Sequence, residues 1–150
     1  MATTFTKLLI HFIFSTKNRE PLITATIESD LHAYMVGIAR NLDCWTLAIN
    51  GTADHLHLLI SMSKKLTVVD LMETVKKSSS RWLNENARLP TKFHWQDGYA
   101  AFTIGESGVA GLTQYIQRQK EHHRKMTFKE ELVRLLKKYN VEYDERYIWA

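Results

Sequence analysis

Two histidines one residue apart, His55 and His57, and a tyrosine and glutamine four apart, Tyr115 and Gln119, are residues whose types and spacing could do chemistry. The histidines lie in Asp54-His55-Leu56-His57-Leu58-Leu59-Ile60, an apolar run that nothing interrupts, and it reads as a strand. Alternate side chains of a strand share a face. Both imidazoles therefore point one way, and Leu56, Leu58 and Ile60 point the other. Two imidazoles on a rigid element can hold a divalent ion; they can equally be partly exposed histidines on a sheet face. Asp54 could orient an imidazole or bond its own turn.

Val109, Leu112 and Ile116 recur at helical spacing and form one apolar stripe. Gln119 falls inside that stripe and Tyr115 at its edge. A glutamine at a core position needs a partner for its amide. Facing a metal, the pair would be a nucleophile beside an oxygen ligand. Otherwise it is a core tyrosine beside a hydrogen-bonded glutamine. Lys120, His122, His123, Arg124 and Lys125 follow, as phosphate contacts or as a solvated helix end.

The elements that must position these groups follow from periodicity. Phe5 to Ser15 alternates, with Leu8, Ile10, Phe12 and Phe14 on one face and Lys7, Leu9, His11 and Ile13 on the other. His11 reads as a sheet-face residue that could approach the histidine pair if its strand neighbours theirs. Ile27, Leu31, Tyr34, Met35, Ile38 and Leu42 predict an amphipathic helix over 26–41. Cys44 to Asn50 reads as a strand with Trp45, Leu47 and Ile49 inward, joined to the His-x-His strand by a hairpin. Thr67 and Asp70 form a capping box for a second helix. Its inner stripe is Val68, Met72, Val75, Ser79 and Trp82. Lys76, Lys77, Ser78, Ser80 and Arg81 lie outside, on a face that either follows a phosphate backbone or is simply solvated.

Phe93 to Tyr99 is aromatic and turn-rich, with Gly98 at the turn. Its rings either close a core or, for one of them at most, stack on an unpaired base. Tyr99 to Ile104 reads as a strand. Ser107 can cap the tyrosine helix, expected to run to about His123. Thr127 and Glu130 cap a last helix with Phe128, Leu132, Leu135, Leu136 and Tyr139 inward. The tail, Val141 to Ala150, carries no assignable role. The order predicts an α+β fold: a ferredoxin-like antiparallel sheet with a βαββαβ core, helices on one face and a C-terminal helix bearing the tyrosine. The first strand and the His-x-His strand then lie side by side in mid-sheet.

A chain of 150 residues is one domain's worth, 1–150. Its net charge of +4 permits a nucleic-acid partner without demanding one. The single cysteine, Cys44, excludes an internal disulfide and fits a reducing cytoplasm. No apolar run is long enough for a membrane span, and Met1-Ala2-Thr3-Thr4 lacks the order of a signal peptide. The expected location is cytoplasmic.

Four blocks give the chain a likeness. They are Ser15-Thr16-Lys17-Asn18-Arg19, the stretch Asn50 to Ile60, Trp95-Gln96-Asp97-Gly98-Tyr99, and Tyr115-Ile116-Gln117-Arg118-Gln119. In this order they resemble the HUH single-strand DNA transposases of insertion sequences that use one catalytic tyrosine, the IS200-like tyrosine transposases. One departure is Ala53, where the family often has proline; this affects a turn and not a ligand. The resemblance implies that His55, His57 and Gln119 hold Mg2+ or Mn2+. It implies that Tyr115 attacks a phosphodiester to form a 5′-phosphotyrosine and that the substrate is single-stranded DNA with hairpin ends. Lys76, Lys77, Arg81, Arg118 and Lys120 become candidate DNA contacts, with Asp54 behind the histidines. The resemblance further implies a homodimer whose sites are shared, with histidines from one subunit and the Tyr115 helix from the other; Gly105, Gly108 and Gly111 around the start of that helix either permit such a swing or are ordinary turn and cap residues. Two alternatives are a domesticated, REP-associated-type relative that binds or nicks hairpin DNA without transposition, and a non-catalytic nucleic-acid binding module.

Overall fold

The structure, a computed structural model, describes residues 2–148; Met1 and the tail residues Trp149 and Ala150 lie outside them. Four strands form an antiparallel sheet in the order β2-β3-β1-β4, from β1 (Leu9–Ser15), β2 (Trp45–Thr52), β3 (His55–Ser61) and β4 (Ala100–Thr103). Helix α1 (Ala25–Asn41) joins β1 to β2, and α2 (Val68–Asn86) lies between β3 and β4. This is the expected βαββαβ core, with β1 and β3 paired in mid-sheet from Leu9↔Ser61 to Ser15↔His55.

The period of two along the central strands gives them two different faces. Phe12, Phe14, Leu56, Leu58 and Ile60 pack against α1 and α2 through Leu31, Met35, Leu71, Met72 and Val75. On the opposite face Ile13, Leu59 and the histidines are covered by three C-terminal helices, α3 (Val109–Gln117), α4 (Gln119–His122) and α5 (Phe128–Lys138). Thr67 caps α2 by accepting from the Asp70 N–H at 3.1 Å, and Thr127 caps α5 in the same way through Glu130.

Several elements differ from the pattern in the sequence. β1 begins at Leu9, and Phe5 is 90% exposed. In β2 the register passes from Thr46↔Ile60 to Ala48↔Leu59, so Leu47 is the extra residue of a bulge. The bulge resets the alternation of this edge strand. Trp45 and Leu47 are exposed instead of inward, while Ala48 and Ile49 face the two cores. The buried stripe of α2 includes Leu71 and Leu83, and Trp82 borders it, stacked on Tyr34. Phe93 and Trp95 close the core, with Trp95 Nε1 donating to Ser79 Oγ at 3.0 Å. Ser107 does not cap the tyrosine helix; it lies in a short 3-10 turn, Glu106–Gly108. That helix does not run on to His123 either, because the chain leaves helical geometry at Arg118 (φ −97, ψ 18).

The hairpin that delivers the histidines depends on a close backbone approach. Gly51 faces Leu56, and a Cβ on it would lie 2.1 Å from the His55 carbonyl oxygen. Gly51→Ala is expected to destabilise the protein by about 1–3 kcal/mol through overpacking. Gly37→Ala, inside α1 with nothing within 4 Å of the new Cβ, is expected to stabilise it by about 0.5–1 kcal/mol. Urea unfolding of both variants checks the pair, and indistinguishable midpoints would contradict the close approach.

Candidate metal and nucleophile site

Strand β3 places His55 and His57 on the face beneath the C-terminal helices, where both are fully buried. They are therefore not the partly exposed sheet histidines that the spacing also allowed. Asp54 faces His55, with its Oδ1 2.7 Å from Nδ1, and it accepts a second bond from Thr52 Oγ1 at 2.8 Å. Burial raises the Asp54 pKa, but the bonds from His55 and Thr52 outweigh it and hold the carboxyl below its usual range. On the other side of the ring, His55 Nε2 lies 3.0 Å from Gln119 Oε1. With acceptors at both nitrogens, His55 is held as an imidazolium. Burial pulls its pKa down, yet the bonds to Asp54, Glu131 and Gln119 prevail and raise it to about 9. His57 sits between His11 Nε2, 2.8 Å from its Nδ1, and Glu131 Oε1, 2.9 Å from its Nε2. Its pKa is lowered, because burial outweighs the attraction of Glu131.

Glu131, which the sequence reading did not single out, is the centre of the site. Its side chain is fully buried, and both carboxylate oxygens are used. Oε1 faces His57 Nε2 and lies 3.0 Å from His123 Nε2 and 3.5 Å from His55 Nε2. Oε2 accepts from Gln119 Nε2 at 3.0 Å and from the Tyr115 hydroxyl. Burial alone would raise the Glu131 pKa; hydrogen bonds to His123, His55 and His57 reverse this and keep it far below the ordinary value. Burial and the bond to Glu131 both raise the pKa of Tyr115, whose ring stacks on His122 with centroids 4.6 Å apart. The sequence did carry a signal for Glu131. The apolar stripe of α5 runs through Phe128, Leu132, Leu135 and Leu136, and position 131 borders it beside Phe128 and Leu135. A charge at a core position demands partners. Beside Glu130 it passes instead for a first-turn acid.

These residues suit a metal ion. Ligand atoms of His55, His57 and Glu131 lie within 4.8 Å of one another. Neighbouring ligands on an octahedral ion with bonds of about 2.1 Å are about 3 Å apart. The pairs His55 Nε2–Gln119 Oε1 at 3.0 Å and His57 Nε2–Glu131 Oε1 at 2.9 Å match that spacing. Gln119 is thus placed where its spacing put it, with a carboxylate added from α5.

The expected DNA contacts divide. Lys76 is engaged within the chain: its Nζ donates to the carbonyls of Gln96 and Gly98, both at 2.7 Å, so it pins the aromatic loop. Burial lowers its pKa against the pull of Asp97. Lys77 and Arg81 are exposed on α2, across the sheet from the histidines. Arg118 is exposed at the helix break. Lys120 pairs with Glu28 at 2.5 Å and donates to Asn50 Oδ1 at 3.1 Å, tying α4 to α1 and β2. Within this chain the Tyr115 helix sits on its own sheet. Ile116 packs on Ala48 and Leu59 of its own chain, and Asn50 Nδ2 donates to the carbonyls of Ile116 and Gln117 at 3.0 Å. Tyr115 and both histidines therefore meet within one chain.

A four-stranded antiparallel sheet that presents two histidines to a tyrosine helix is the architecture of a known class. Residues 4–119 match the family of IS200-like transposases, and this chain belongs to it. It is 24% identical over 118 residues to the ISDra2 transposase TnpA of Deinococcus radiodurans, a match covering 75% of this chain and 84% of that protein. A crystal structure described as that of a transposase from D. radiodurans R1 aligns with a TM-score of 0.64 at 23% identity, covering 79% of this chain and 95% of that one. A REP-associated tyrosine transposase bound to a REP hairpin aligns with a TM-score of 0.63 at 15% identity, covering 96% and 91%. At these identities the two structures show the shared fold. The family match ends at Gln119, so α5 and Glu131 lie beyond it. No helix among the described residues is long and apolar enough to cross a membrane.

The charge state of His55 makes stability depend on pH. Its folded pKa is raised from 6.5 to about 9. The stabilisation is therefore whole below pH 6.5 and disappears as pH rises through about 9. Kept free of metal by a chelator, the protein should lose on the order of 3 kcal/mol of stability across that window. Urea unfolding at pH 6.5 and 9.5 measures it. The same comparison on His55→Asn should give a much smaller difference; an equal drop in both proteins would assign the effect elsewhere.

Proposed function

We propose that this chain is a divalent-metal-dependent tyrosine transposase that cleaves and rejoins single-stranded DNA at hairpin ends through a 5′-phosphotyrosine. The observation that carries the proposal is the convergence of Tyr115, Gln119 and His57 on one buried carboxylate, Glu131. His55, His57, Gln119 and Glu131 would hold Mg2+ or Mn2+, a mixed nitrogen and oxygen set that suits either ion. When bound, the ion would polarise the scissile phosphate and offset its developing charge. Asp54 fixes the ring of His55 through Nδ1. Glu131 Oε2 holds the phenolic proton of Tyr115, supplying the proton acceptor that the sequence did not name. The Tyr115 oxygen would attack phosphorus as its proton passes to Glu131 Oε2, and the 3′-oxygen would leave with the bonding pair and take a proton from solvent to end as a hydroxyl. One phosphodiester replaces another, so the energy for rejoining is retained.

A second reading is a relative that binds or nicks hairpin DNA without moving an element. The alignment over 96% of this chain with a REP-associated transposase favours keeping it. Transposition from a donor carrying the gene's own flanks separates the two. A relative that nicks gives the same adduct.

Incubated with single-stranded DNA from the gene's flanks and Mg2+, the protein should give a covalent adduct on a denaturing gel. Tyr115→Phe should abolish the adduct and leave DNA affinity within a few-fold. His57→Ala should lose metal-dependent cleavage, and Gln119→Ala should be milder, since water can replace a neutral oxygen. An undiminished adduct from Tyr115→Phe would remove the tyrosine from its role.

A homodimer, implied by the resemblance, would on this reading carry one whole site per chain. Mixing Tyr115→Phe with His57→Ala chains should then restore no cleavage, even with heterodimer shown by native mass spectrometry. Recovery would mean that the helices exchange between subunits in the cleaving state.

A further inference from the structure

Behind the metal-facing side of His57 lies another histidine. His11 is on β1, opposite Leu59, and His57 is opposite Ile13, so the two rings are diagonal neighbours on one face of the sheet. Both are fully buried. His11 Nε2 and His57 Nδ1 are 2.8 Å apart, and the rings lie nearly parallel at 24° with centroids 5.1 Å apart. His11 Nδ1 is buried without a hydrogen-bond partner.

One proton occupies the His11–His57 bond, and its position is linked to the other edge of each ring. With Glu131 accepting from His57 Nε2, that nitrogen carries the hydrogen. Nδ1 of neutral His57 is then an acceptor, and His11 donates from Nε2. A ring that binds a metal through Nε2 needs its lone pair there. Its hydrogen must move to Nδ1, where it can only be given to His11 Nε2. His11 then carries its own hydrogen on Nδ1, facing no partner. Both rings stay neutral, and both change tautomer together.

We infer that His11 is a positioning residue: it accepts from His57 Nδ1 and so fixes the tautomer and aim that let His57 Nε2 ligate the metal. This rests on the metal reading above. Loss of a partner behind a ligating histidine typically weakens metal binding about 10–100-fold.

The test uses the full chain, with Mn2+ titrated by calorimetry into wild type, His11→Phe and His11→Gln, and ring 15N shifts recorded on wild type without metal and with Mg2+. Phenylalanine fills the space and accepts nothing, so Mn2+ affinity should fall about 10–100-fold. The glutamine carbonyl can accept from Nδ1, so His11→Gln should stay within a few-fold of wild type, a rescue that loss of packing alone would not produce. In wild type, Mg2+ should move the hydrogen of both rings from Nε2 to Nδ1. Unchanged affinity in folded His11→Phe overturns the inference and leaves the metal site standing. Should that variant not fold, tautomers unchanged by Mg2+ overturn it on wild type alone. No Mn2+ binding by wild type would overturn the metal reading itself.

Discussion

An ionised carboxylate that is fully buried must be surrounded by donors, and the site is arranged around meeting that demand for Glu131. Desolvating one charge without partners costs several kcal/mol. Here four side chains, Tyr115, Gln119, His57 and His123, supply the hydrogen bonds, and the imidazolium of His55 supplies a counter-charge 3.5 Å away. They come from β3, α3, α4 and the turn that follows. Docking of α5 thus involves the histidines of the sheet as well as the apolar contacts of Phe128, Leu135 and Leu136.

The sheet makes this possible by keeping the histidines rigid. β1 and β3 are paired on both edges and covered on both faces, so the rings of His11, His55 and His57 have little room to rearrange. The hairpin ahead of β3 adds Asp54 and Thr52, whose mutual bond fixes the acceptor facing His55. His55 and His57 each have the ring held at Nδ1, by a carboxylate in one case and an imidazole in the other.

Much of this was legible in the chain because period-two and period-3.6 patterns are strong where a face is buried. The alternation of Ile10, Phe12 and Phe14, and the spacing of His55 and His57, placed β1 and β3 and aimed their side chains correctly. The stripe of Val109, Leu112 and Ile116 put Tyr115 and Gln119 at the site. Trp45 and Leu47 were misread because one bulged residue reverses the parity of an edge strand, and a bulge leaves no mark in an apolar run. Glu131 was missed because an acid in the first turn of a capped helix already has an ordinary explanation in the helix dipole. Only its phase relative to Leu132 and Leu135 argued otherwise. The bonds of Lys76 to the carbonyls of Gln96 and Gly98 were not legible, because those acceptors come from a loop distant in sequence.

The interruption at Arg118 separates two groups that a continuous helix would have carried as one lever. Tyr115 rides on α3, seated on β2 and β3 through Ile116 and Leu112. Gln119 opens α4, which is tethered by Lys120 to Glu28 and Asn50. Rotating an unbroken helix would swing both side chains through the same angle. Across a break they have separate pivots, and what joins phenol and amide again is the single carboxylate oxygen of Glu131 that both of them bond.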